Sequence, residues 1–201
     1  EMEYSVGHHG DYFYVVTNDN AENFKLMRTP AEDPSKANWK EVIPAMDSVK
    51  IDGIDVFKNH LVVYERIHGL KQIRIMNLIT GEDYYVDFPE PVYTFRPERN
   101  PDFNTTTLRF DYTSMVTPRS VYDYNMDAKT RDLRKQQEVL GGYDPRQYES
   151  ERIYAKASDG TMVPISLVFK KGMIKDGKNP LYLYAYGAYG LSSEPDFSSN
   201  Y

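Results

Sequence analysis

Over roughly the first 140 residues, apolar and polar positions alternate at short range and never sustain the i, i+3, i+4, i+7 stripe of a long helix. Residues 11–17 read as a strand, a polar turn follows at 18–23, and residues 24–29 alternate as a half-buried antiparallel strand does. A proline-rich connection leads to a short strand at 40–43. The plan then repeats, with strands at 51–57, 60–66, 72–78 and 84–88, the last entered through the turn Thr80-Gly-Glu-Asp83. A third unit places strands at 92–95, 107–112, 120–125 and 134–139.

Three units of roughly forty to fifty residues, each readable as four strands, match the period of β-propeller blades. A β-sandwich is the alternative that strand rhythm alone leaves open. The pattern changes at residues 141–147, where Gly-Gly and Asp-Pro punctuate the chain and Pro145 is placed to begin one short helical turn. Residues 150–157 and 163–170 follow as a hairpin around the turn Ser158-Asp-Gly-Thr161. Residues 180–186 then form a near-continuous apolar run, which predicts a strand buried on both faces. That run enters the glycine-punctuated stretch Tyr186-Gly-Ala-Tyr-Gly190, so phenol hydroxyls fall at the carboxyl end of a strand, where open α/β sheets build their sites.

Composition narrows the classes. The chain is 40% hydrophobic and 27% charged, which fits a globular domain, and its 18 tyrosines favour strands. No run approaches the ~18 apolar residues of a membrane span, so no membrane partner is expected. A net charge of -6 argues against a nucleic-acid partner, and neither a phosphate-binding glycine loop nor a dinucleotide fingerprint is present. Without cysteine there is no disulfide, thiolate nucleophile or Cys-ligated zinc. The compartment stays open on this basis, with cytoplasm expected and periplasm the alternative. The opening residues match neither a signal peptide nor a translation start, so an internal fragment is expected.

Isolated constellations carry little chemistry. His8 and His9 are adjacent, and neighbours in a strand point to opposite faces. Asp52 and Asp55 flank Gly53 without the Asp-x-Asp-x-Asp-Gly pattern of a calcium loop. The basic stretch 129–135 is interrupted by acids and reads as a solvated outer strand. Ser192 lies in Gly190-Leu-Ser-Ser-Glu194, which lacks the second glycine of a Gly-x-Ser-x-Gly elbow, so it reads as a loop serine. No metal and no cofactor are expected.

The stretch 151–168, with its Ser-Asp-Gly turn followed by Val-Pro-Ile-Ser-Leu-Val, resembles the opening of the peptidase domain in the prolyl oligopeptidase family of serine peptidases. Residues 183–190, Leu-Tyr-Ala-Tyr-Gly-Ala-Tyr-Gly, are similar to that family's tyrosine-glycine strand end. The Tyr-Gly-x-Tyr-Gly ending, Asp144-Pro-x-x-Tyr-Glu149 and the propeller-like stretches 7–14 and 23–28 resemble the oligopeptidase B (protease II) branch. The resemblance implies that residues 1–140 are the last three blades of a propeller and 141–201 the first strands of an α/β-hydrolase domain. It further implies a parent that cleaves short peptides after Arg or Lys, with proline-specific cleavage as the nearest alternative. A propeller-type binding module without chemistry is the rival class.

By the same resemblance, Tyr186 donates its hydroxyl to the oxyanion hole, Gly187 shapes the loop, and Tyr189 falls in the S1 region. Ala185 and Ala188 depart from a Tyr-Gly-Tyr-Gly pattern. The family's Ser, Asp and His have no counterpart among residues 1–201, so the chain by itself is expected to be inactive and to self-associate through open strand edges.

Overall fold

The computed structural model describes residues 1–199. Three meanders of four strands follow one another along the chain. The first comprises β1 (Tyr4–His9), β2 (Tyr12–Thr17), β3 (Lys25–Pro30) and β4 (Lys40–Ile43). The second comprises β5 (Val49–Val56), β6 (His60–Ile67), β7 (Leu70–Asn77) and β8 (Asp83–Tyr85). The third comprises β9 (Tyr93–Pro97), β10 (Thr107–Ser114), β11 (Ser120–Asn125) and β12 (Thr130–Gln136). A two-stranded sheet of β13 (Tyr148–Lys156) and β14 (Met162–Lys170) comes last.

The described chain divides into two compact units, one of residues Glu1–Asp87, Glu98–Arg109 and Asp123–Asp132, the other of Phe88–Pro97, Phe110–Tyr122 and the residues from Leu133 onward. In the first unit the period-2 alternation of the strands does what it predicts. Val16, Leu26 and Ile43 are successive cross-strand neighbours on one face of the first sheet. They pack with Tyr14, and with Ile51, Leu61 and Val63 of the second sheet, into a buried cluster. Each such side chain contributes roughly 1.5–3 kcal/mol by leaving water. Close packing against the second sheet explains Gly7: a Cβ there would lie 2.5 Å from Val56 Cγ2.

Several buried or half-buried polar groups of the first unit are paired. Glu65 is wholly enclosed and accepts the Tyr85 hydroxyl at 2.7 Å and an Arg74 N–H at 3.4 Å. Arg74 also donates to Asp83, and that bond holds its guanidinium well above its ordinary pKa. Asp55 accepts the Tyr64 hydroxyl at 2.7 Å. Asp52 meets Lys50 of its own strand at 3.4 Å and Arg66 of β6 at 3.8 Å, so these two aspartates serve separate contacts.

In the second unit the core is aromatic. Phe88 stacks on Tyr112 at 5.4 Å and on Phe95 at 5.8 Å, lies 4.4 Å from Tyr93, and meets Phe110 edge-on. Such pairs add about 0.5–1.5 kcal/mol each beyond area burial. At the rim of the cluster, the Glu90 carboxylate accepts the Tyr112 hydroxyl at 2.5 Å and the Ser114 hydroxyl at 2.7 Å. Burial, then the bond to Glu90, holds the Tyr112 phenol far above its ordinary pKa.

The structure changes several expectations. β1 is a strand that the pattern did not single out, because Ser5, Gly7, His8 and His9 blur its alternation. The strand expected at 134–139 lies at Thr130–Gln136, where an exposed polar sequence takes its place from pairing with β11 rather than from its own apolar residues. The expected helical turn is a short 3-10 turn at Pro145–Gln147, capped by Asp144, whose carboxylate accepts the Arg146 N–H.

The largest correction concerns residues 180–186, which form no strand. Leu181, Tyr182, Leu183 and Tyr184 are exposed rather than buried on both faces. A strand of that kind needs neighbours along its edges and layers over its faces. Within the described residues, β13 and β14 pair only with each other.

Candidate active-site segment

The tyrosine-glycine stretch forms a small closed loop. The Leu191 N–H donates to the Ala188 carbonyl at 3.1 Å, and the two residues between them both have positive φ, 57° at Tyr189 and 70° at Gly190. That combination marks the tight turn with mirror-image twist, which Gly190 accepts freely. Tyr189 is the unusual member, since a bulky residue in the left-handed region costs roughly 1–2 kcal/mol. Strain of this kind gathers at ligand-handling loops.

The base of the loop is closed by Ser193. Its Oγ accepts the Tyr186 N–H at 3.0 Å and donates to the Tyr186 carbonyl at 3.4 Å. The loop therefore presents Tyr186, 47% exposed, and Tyr189, 94% exposed, from a hydrogen-bonded frame. Around Gly187 nothing lies within 4 Å of where a Cβ would stand, which leaves its backbone open to approach. Ser192 is exposed beside Ser193. The sequence pattern singled out Ser192 for scrutiny and missed Ser193, whose role depends on loop closure.

Upstream, the linker before β13 carries a second group the sequence did not announce. Tyr143 donates its hydroxyl to the Val116 carbonyl at 2.6 Å. Its ring stacks on Tyr148 at 5.6 Å and meets Phe197 edge-on at 5.0 Å. Burial, followed by nearby Tyr148 and Glu90, raises the Tyr143 phenol above its ordinary pKa and keeps it a donor. The only advance signal was its place beside the Gly141-Gly142 punctuation.

The histidines stand apart from the tyrosine loop in the chain and in their contacts. His8 lies against Phe13, and a ring nitrogen of His9 hydrogen-bonds the Lys58 carbonyl at 2.8 Å. His60 is wholly buried, with Nε2 3.0 Å from an Asp127 carboxylate oxygen. Among the described residues no group of three or more His, Asp or Glu is gathered as a metal cage. No described helix is long and apolar enough to cross a membrane.

A family profile described as the prolyl oligopeptidase N-terminal β-propeller domain matches residues 1–137. The chain belongs to the prolyl oligopeptidase family. Within that family it is 39% identical over 200 residues to dipeptidyl aminopeptidase BI of Pseudoxanthomonas mexicana, covering 98% of this chain and 27% of that protein. It is 31% identical over 195 residues to protease 2 of Moraxella lacunata, covering 96% of this chain and 28% of that protein. The solved structure of oligopeptidase B from Trypanosoma brucei, with antipain covalently bound, superposes on 99% of this chain and 29% of its own with a TM-score of 0.86 at 33% identity. The four-stranded sheets therefore match the blades of the family's propeller. The chain spans about a quarter of the length of the curated relatives it matches.

Proposed function

We propose that the chain is part of a serine oligopeptidase that hydrolyses short peptides after Arg or Lys. Residues 1–140 contribute propeller blades, and residues 141–201 contribute the first strands of an α/β-hydrolase peptidase domain. The likeness to oligopeptidase B across 99% of the chain is the observation that carries this reading.

The chemistry follows from the tyrosine loop. In peptide hydrolysis a serine oxygen attacks the scissile carbonyl, a histidine takes its proton, and an aspartate orients the histidine. The carbonyl oxygen becomes an oxyanion, which must be met by donors already in place. Tyr186 supplies such a donor: a neutral phenol that stabilises the charge without surrendering its proton. Gly187 leaves the backbone beside it open to substrate, and Tyr189 contributes to the wall of the S1 pocket. Residues 1–201 contain no Gly-x-Ser-x-Gly, so the nucleophile is placed outside this segment.

A second reading draws on the Pseudoxanthomonas relative, whose name describes release of dipeptides from an amino terminus. The full-length peptidase, assayed on coumarin amides, separates the readings. Turnover of blocked peptides ending in Arg or Lys, above those ending in Pro, supports the first. Turnover restricted to dipeptides with a free amino terminus supports the second. The 201-residue chain alone is expected to turn over none of them, and activity abolished by Ser192→Ala would overturn the placement of the nucleophile.

A further inference from the structure

We propose that Tyr143 is a positioning residue for the tyrosine loop, acting through Phe197 and the turn between β10 and β11. The inference rests on the reading of Tyr186 as the oxyanion donor.

The turn is a rigid base. The Ser114 N–H donates to the Thr117 carbonyl at 3.1 Å, and the Thr113 hydroxyl donates to the same carbonyl at 3.0 Å. Ser114 Oγ accepts the N–H groups of Val116 at 2.9 Å and Thr117 at 2.7 Å while donating to Glu90. Ser114 is fully buried, so this set is shielded from competing water.

Two groups of that turn hold segments distant in sequence. The Val116 carbonyl takes the Tyr143 hydroxyl at 2.6 Å, and Thr113 Oγ takes the Phe197 N–H at 3.2 Å. Tyr143 and Phe197 then meet ring to ring at 5.0 Å, so each limits the other's movement. Phe197 follows Ser193 in the chain after residues 194–196, where the Asp196 N–H donates to the Glu194 carbonyl at 2.9 Å. Ser193 in turn clamps both backbone groups of Tyr186. A series of contacts, joined by the chain between Ser193 and Phe197, thus runs from a propeller strand end to the backbone that carries the proposed donor.

An exposed loop with a strained tyrosine would otherwise sample many positions. Catalysis by a hydroxyl requires it within a few tenths of an ångström of one place, and a displacement of about 1 Å can cost about 100-fold in rate. Tyr143 restricts that freedom without touching substrate. The Tyr143→Phe change keeps the ring and removes only the bond to Val116, which lets the ring and Phe197 slide together.

The test is a double-mutant cycle in the full-length peptidase, read as kcat and KM on its best coumarin substrate. Tyr143→Phe and Thr113→Val are each expected to lower kcat about tenfold with KM held within about twofold. Thr113→Ser, which keeps the acceptor hydroxyl, is expected to retain kcat near wild type. In a Tyr186→Phe background, Tyr143→Phe is expected to cost less than about twofold more.

If Tyr186→Phe lowers kcat while Tyr143→Phe is silent, or is equally costly in both backgrounds, the positioning role is overturned and the oxyanion reading stands. If Tyr186→Phe itself is silent, both fall. Should Tyr143→Phe fail to fold, the Thr113→Val and Thr113→Ser pair, measured with and without Tyr186→Phe, decides the same question.

Discussion

Tyr112 sits in a strand that alternates with polar residues and Tyr184 in a near-continuous apolar run, yet Tyr112 is 2% exposed and Tyr184 is 64% exposed. Around Tyr112 the structure supplies Phe88 as a stacking partner, Tyr93 beside it and the Glu90 carboxylate for the hydroxyl. Around residues 181–184 no second strand and no covering layer stand among the described residues. The difference is that apolar pattern states what a segment can bury, whereas burial needs partners that can lie far away in the chain. In the third sheet the tyrosines serve packing. In the loop at 186–190 two of them are presented outward from a hydrogen-bonded frame.

Truncation should expose this contrast most strongly. Tyr112→Ala removes a buried ring and leaves Glu90 with one partner fewer, and is expected to cost about 3–5 kcal/mol in urea unfolding. Tyr184→Ala is expected to fall within about 0.5 kcal/mol of wild type in the same measurement. Equal effects would mean that the run 180–186 is packed in solution.

A smaller effect follows from pH. Burial is the leading cause that holds the phenols of Tyr64, Tyr84 and Tyr112 above the ordinary value of 10.0, and it pushes Tyr85 up to about 12. Below the ordinary value both folded and unfolded chains keep these protons, so the stability linked to them is fully present. As pH rises past it, the unfolded chain releases protons that the fold retains, and stability falls. Urea midpoints should therefore decline between about pH 9 and about pH 11. In parallel absorbance titrations these phenols should ionise together with unfolding. A midpoint that stays level across that window would contradict the assigned burial.

Much of the blade architecture was legible because each strand carries its own alternation. Residues 40–43 and 120–125 fall where the pattern set them, and their neighbours shift by a few residues at the ends. β12 was displaced because an exposed outer strand such as Thr130–Gln136 has no apolar face to announce it. The segment 180–186 was misread for the opposite reason: its apolarity is real, but among the described residues no strand pairs with it. The proposed site was legible only at Tyr186, Gly187 and Tyr189, through the tyrosine-glycine motif. Ser193 becomes visible only once the loop closes. The contact of Phe197 with Thr113 spans 84 residues, a separation at which no local pattern carries information.

Whether the loop tyrosine acts through its hydroxyl is measured most directly by the kcat of Tyr186→Phe in the full-length peptidase. The change keeps the ring, so the fold and thermal midpoint should hold, while kcat falls about 100-fold and KM shifts little. An unchanged kcat in a folded variant would contradict the account and leave Tyr186 as a surface residue.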